Sequence, residues 1–141
     1  MKTIILSAGY GTRLLPLTEF IPKPLFPIID KTLLSLIVTY LEDNDFHSFG
    51  INTHHLAGMI KNFVANHLKS NNIIINHEKM ILNTGGGLAG FRDFANGDDF
   101  LVYNCDIITD LSLRSIVESH KKSSALASLV MVDYPSINTV S

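Results

Sequence analysis

Short apolar runs alternate with longer amphipathic stretches along this chain. Residues 3–7, 49–52, 72–76, 100–103 and 125–132 are compact apolar runs, and they predict five strands. Between them, residues 32–42 carry Leu33, Leu36, Ile37, Tyr40 and Leu41 at helical spacing, with Asp30 or Thr32 as the N-cap. Residues 56–68 repeat that pattern through Ile60, Phe63 and Val64. Residues 88–94 read as the first turns of a third helix, and residues 113–120 as a fourth. Pro16, Pro22, Pro24 and Pro27 exclude regular helix from the segment after the first strand. Strands alternating with helices predict an α/β fold with a Rossmann-like, doubly wound, mainly parallel sheet.

In such a sheet the strand-to-helix loops gather at the carboxyl edge, where ligands bind. Three segments fall there: the 9–23 loop, the triplet Gly85-Gly86-Gly87, and the strand end Asn104-Cys105-Asp106. One shared edge makes them one candidate site.

Composition narrows the picture. The 141 residues suit a single domain, 1–141, and 46% of them are hydrophobic. A chain of this size buries roughly 68–70% of its unfolded surface, so it folds without disulfides or structural metal. Eleven basic residues against thirteen acidic ones give net charge −2. That balance carries no footprint for nucleic acid or an anionic membrane. Cys105 is the sole cysteine, which excludes an internal disulfide or a multi-cysteine zinc site and suits a reducing cytoplasm. The apolar start superficially resembles a signal peptide, but Arg13 follows almost at once and a buried first strand fits better. No apolar run reaches the length of a membrane span.

The 9–23 loop carries the chemistry. Gly9 and Gly11 let backbone N–H groups approach phosphate oxygens closely, Arg13 adds a planar donor fork, and Lys23 adds a compact mobile charge. A dinucleotide fingerprint needs a small residue where Leu14 stands, and a Walker loop needs Gly-Lys-Ser/Thr; both fail. Asp106 ends an apolar strand, where a carboxylate suits Mg²⁺ or caps a turn. His54 and His55 read as turn or helix-start packing, Ser7 as backbone geometry, and Asp110 as a helix N-cap. Glu78 and Lys79 either border the glycine triplet or are solvated.

The pattern Gly9-x-Gly11-Thr12-Arg13-x-x-Pro16-x-Thr18-x-x-x-Pro22-Lys23-Pro24 resembles the signature of the sugar-phosphate nucleotidyltransferases. Together with Thr84-Gly85-Gly86-Gly87 it is most similar to N-acetylmuramate-1-phosphate uridylyltransferases and mannose- or heptose-1-phosphate guanylyltransferase-like proteins. The resemblance implies that Leu6, Ala8 and Gly9 contact base and ribose, within a nucleotide-binding turn that includes Gly11 and Thr12. It implies Arg13 on the β/γ-phosphates and Lys23 on the phosphate being transferred. It also implies Thr84, Gly86 and Gly87 at the base, and Asp106 on Mg²⁺. Cys105 stands where the family often has glycine.

The implied reaction joins a nucleoside triphosphate and a sugar 1-phosphate, giving a nucleotide sugar and pyrophosphate. Family members continue into an acceptor pocket and a second metal-binding aspartate, which Asp133 does not match, so the chain resembles their nucleotide-binding part, truncated at the C-terminus. Two other readings stay open: a non-catalytic nucleotide-binding or regulatory module, and a subunit completed by another chain. Base, sugar and homo-oligomer formation are equally open.

Overall fold

The computed structural model describes residues 1–68 and 72–131. Its elements run β1 (Lys2–Leu6), three short 3-10 turns (Thr12–Leu14, Leu17–Glu19, Lys23–Leu25), β2 (Pro27–Ile28), β3 (Lys31–Thr32), α1 (Leu33–Asp43) and β4 (Ser48–Thr53). Then come α2 (Ala57–His67), β5 (Ile73–His77), α3 (Asn83–Ala89), α4 (Arg92–Ala95), β6 (Phe100–Asn104) and α5 (Leu113–Lys122). The chain divides into two compact units, Met1–Thr109 and Asp110–Ser141.

The first unit is built on a four-stranded parallel sheet, ordered β5-β4-β1-β6. The two middle strands are the most buried, because a strand covered on both faces can bury consecutive side chains. Thr3, Ile4 and Ile5 of β1 are fully buried, as are Phe49, Ile51 and Thr53 of β4. Ile5 pairs with Ile51 on one side and Tyr103 on the other. The chain builds outward from β1 to β4 and β5, then returns to place β6 against the free side of β1. Right-handed crossovers therefore put the β5–β6 connection on the face opposite α1 and α2. Gly50 shows how closely that connection packs: a Cβ there would stand 2.7 Å from the Phe91 ring.

Four strands and the helices of residues 32–42, 56–68 and 113–120 match expectation to within one or two residues. Thr32 caps α1, its side chain accepting from the Ser35 N–H at 3.2 Å. The buried stripe of α1 is Leu33, Leu34, Ile37, Val38 and Leu41, rotated from the expected one so that Leu36 and Tyr40 sit at its margin. The prolines do keep the loop out of α-helix, and the small hairpin of β2 and β3 follows them.

Four expectations change. Gly85, Gly86 and Gly87 lie inside α3 rather than in a loop, and the expected helix over 88–94 is broken at Gly90–Phe91 between α3 and α4. Gly87 permits close packing: a Cβ there would stand 2.8 Å from Asn52 Nδ2 and 3.0 Å from Glu78 Oε1. The N-cap of α5 is Ser112, which accepts from the Ser115 N–H at 3.3 Å, and not Asp110. The expected fifth strand is absent over 125–131, and Val132 lies outside the described residues. A strand needs a hydrogen-bonding neighbour, and the described part of the second unit offers only α5.

Replacing Gly50 with alanine should destabilise the chain by about 1–3 kcal/mol, the scale of overpacking in a filled core. Urea unfolding checks this through a lowered midpoint with an unchanged slope.

Candidate functional site

A doubly wound sheet opens a crevice where the strand order reverses, outside the carboxyl ends of the strands. Here the reversal lies between β1 and β6. A cleft of about 370 Å³ occupies that point, lined by Leu6, Ser7, Gly9, Gly11, Thr12, Arg13, Lys23, Pro24, Asn104, Cys105 and Asp106.

Each wall has a local cause. β1 ends at Leu6, and Ser7 is anchored at once: its N–H donates to Asn52 Oδ1 at 2.6 Å and its hydroxyl donates to the Asn52 carbonyl. The Ser7 side chain thus shapes backbone. Beyond it, Gly11 adopts the left-handed φ of 65°, which glycine tolerates without strain. Leu14 N–H closes the turn onto the Gly11 carbonyl at 2.9 Å, leaving Arg13 exposed on the rim. Pro22 and Pro24 are buried on either side of Lys23, so the lysine's backbone is framed while its side chain crosses the cleft. Lys23 Nζ donates to Asp106 Oδ2 at 2.7 Å. The two side chains remain 28% and 42% exposed, so this pair is wet and open to exchange of partners.

Leu6, Gly9, Gly11, Thr12, Arg13, Lys23 and Asp106 therefore share one cleft. Ala8 is buried behind it. Thr84, Gly86 and Gly87 do not line it; they belong to α3, where Thr84 is exposed and the Gly87 Cβ position is 3.6 Å from the Leu6 side chain. Glu78 is the residue that sequence reasoning left undecided. It is 3% exposed, accepting from Asn52 Nδ2 at 2.7 Å and from the Leu82 N–H at 3.0 Å. Asn52 thus bridges Ser7 just after β1 to Glu78 after β5, tying the ends of three strands together. The available signal was Asn52 itself, a polar residue inside an apolar strand, which must find partners when buried.

Cys105 lies at the cleft floor, 4% exposed. Burial, and then the Asp106 charge, push its thiol up to about 12, while Lys23 pulls the other way. No group of three or more His, Cys, Asp or Glu side chains that could hold a metal occurs among the described residues. No helix among them is long and apolar enough to cross a membrane.

The cleft at the β1/β6 reversal thus gathers two cations, a glycine turn and a carboxylate at the carboxyl edge of an α/β sheet. Residues 2–138 match the Nucleotidyl transferase family, and the chain belongs to it. It is 30% identical to a UTP–glucose-1-phosphate uridylyltransferase of Synechocystis sp., over 96% of this chain and 38% of that protein. It is 34% identical to the mannose-1-phosphate guanylyltransferase catalytic subunit beta of Xenopus tropicalis, over 96% of this chain and 39% of that protein. Among solved structures, HddC from Yersinia pseudotuberculosis complexed with GMP-PN superposes with a TM-score of 0.74 at 27% identity. That match covers 84% of this chain and 53% of HddC. The chain thus spans well under half the length of these two curated relatives.

The raised Cys105 thiol sets a sign. A thiol held neutral by the fold adds stability that is complete below its unfolded value, near 8.5, and is lost as pH rises toward about 12. At pH 8 native Cys105 should resist iodoacetamide and react only on addition of urea, read by mass spectrometry; free-thiol labelling rates in the folded chain would contradict its burial.

Proposed function

We propose that this chain is the nucleotide-binding part of a sugar-1-phosphate nucleotidyltransferase, all 141 residues acting as one such domain. The observation that carries the reading is the convergence of Arg13, Lys23, the Gly9–Gly11 turn and Asp106 on the cleft between β1 and β6. The names of its relatives support the reaction class, uridylyl transfer in one and guanylyl transfer in another.

In this reading the triphosphate lies along the glycine turn, whose N–H groups and Arg13 face the β- and γ-phosphates. Lys23 lies deeper, on the phosphate being transferred, and exchanges Asp106 for that phosphate. Leu6, Ala8 and Gly9 shape the base and ribose end, and Thr84, Gly86 and Gly87 of α3 face the base, Gly87 lying against Leu6. The attacking oxygen of a sugar 1-phosphate is already anionic near neutral pH, so no side chain need remove a proton. It forms a bond to the α-phosphorus as the bond to pyrophosphate breaks, and the electron pair leaves with pyrophosphate. Catalysis then rests on alignment and on donors aimed at developing charge.

Asp106 fits a magnesium site of the kind completed by substrate phosphates and waters, because it is a single hard carboxylate exposed at the cleft. Charge neutralisation at the phosphate oxygens is what such an ion would add. The chain covers 38% of the Synechocystis protein's length, and we assign to it nucleotide binding rather than acceptor positioning. That positioning contributes up to about 7–11 kcal/mol when complete, so this chain should bind nucleotide well and turn it over poorly.

Arg13→Ala should weaken nucleoside triphosphate binding by about 1.5–3 kcal/mol, the scale for hydrogen bonds to charged groups. Titration calorimetry checks it, and unchanged affinity in both Arg13→Ala and Lys23→Ala would remove the assignment. Asp106→Asn should keep the fold yet lose the strengthening of nucleotide binding by magnesium, since the amide carries no charge. The same titration with and without magnesium decides this. Retention of the full magnesium effect would reduce Asp106 to a turn residue.

A further inference from the structure

The turn between β4 and α2 carries two adjacent histidines that the proposed reaction does not use, and both reach back to the 9–23 loop. His55 Nε2 donates to the Thr18 carbonyl at 2.5 Å. A carbonyl only accepts, so this ring nitrogen carries the proton. Thr18 is 1% exposed, and its hydroxyl donates onward to the Gly11 carbonyl at 3.2 Å. Its methyl group closes the same turn from the side, 2.9 Å from the Gly11 Cβ position, and Lys23 Cβ lies 3.5 Å from that position. His54 makes a second tie: its Nδ1 donates to the Glu78 carbonyl at 2.8 Å, which leaves Nε2 to accept from the Tyr10 hydroxyl at 3.1 Å.

We infer that His55, acting through Thr18, is a positioning residue for the phosphate-binding loop. The loop is a run of 3-10 turns, whose hydrogen bonds are poorer than those of an α-helix and whose short segments hold little shape alone. The strand end of β4 is fixed by the sheet. His55 carries that fixed position to Thr18, and Thr18 hands it to Gly11, whose left-handed turn sets where Arg13 and Lys23 stand. The Tyr10–His54 bond fixes the other side of the turn. His55 touches no substrate in this scheme, and its effect is to keep the cations of the loop in register with Asp106. The binding part of the inference rests on the reading under Proposed function; the loop-ordering part does not.

The test compares the 141-residue chain with His55→Leu, which keeps bulk and loses the donor, and with His55→Gln, whose side-chain amide restores an N–H at similar reach. Hydrogen exchange reads the loop, and calorimetry reads binding of a magnesium nucleoside triphosphate beside the corresponding nucleoside. His55→Leu should speed exchange of the Leu14 and Glu19 amides while β1 and β4 stay unchanged. It should weaken triphosphate binding about tenfold, the loss expected for one hydrogen bond, without altering nucleoside binding. His55→Gln should restore both. Unchanged loop exchange in His55→Leu would overturn the inference, as would failure of His55→Gln to restore it. So would equal losses for triphosphate and nucleoside, which would make His55 a packing residue. If His55→Leu does not fold, Thr18→Val removes the hydroxyl and keeps the shape, and the same expectations apply. Should the unaltered chain bind no triphosphate, the functional reading fails by itself while the exchange measurement still decides the role of His55.

Discussion

β1 can bury Thr3, Ile4 and Ile5 together only by taking a parallel neighbour on each side and cover on both faces. That constraint organises the rest of the first unit. It forces the chain to return from β5 to the far side of β1, and the return opens the crevice between β1 and β6. It also fixes Leu6 and Ser7 at the mouth of that crevice, from which the glycine turn departs. Asn52 then ties Ser7 to Glu78, so the loop leaves from a point held by hydrogen bonds as well as by packing.

The electrostatics of the cleft follow from where that loop travels. Pro22 and Pro24 frame Lys23 so that it faces Asp106 across the cleft, and the pair neutralises itself at 2.7 Å. Under the proposed function, an incoming phosphate would offer Lys23 a more highly charged partner and would free a carboxylate for a cation. Cys105, beside Asp106, stays a neutral thiol throughout, because burial raises it to about 12. It fills space at the cleft floor without adding charge to it.

Much of this was legible in the sequence. The apolar runs located β1, β4, β5 and β6, since runs this short, bounded by turn residues, leave few other solutions for them. The spacing of Gly9, Gly11, Arg13 and Lys23 after β1 brought them into one expected site, and the structure does place them in one cleft with Asp106. What was not legible depends on contacts between distant segments. A glycine triplet suggests a loop, yet Gly87 sits in α3, where the helix passes close to Asn52 and Glu78. The apolar stretch 125–132 suggests a strand, yet apolar character does not supply a neighbouring strand. Glu78 gave no local sign of burial, because its partners lie on β4 and at Leu82.

The central claim is that phosphate is received at the carboxyl end of β1 and β6. Backbone amide chemical shifts of the isotope-labelled chain, followed while a magnesium nucleoside triphosphate is added, test it most directly. The account requires saturable shifts concentrated in residues 9–23 and 104–106, with those around Lys2, His47 and Asp98 at the opposite end of the sheet unmoved. Saturable shifts confined to that opposite end, or none at any concentration where relatives of this family are saturated, would contradict it.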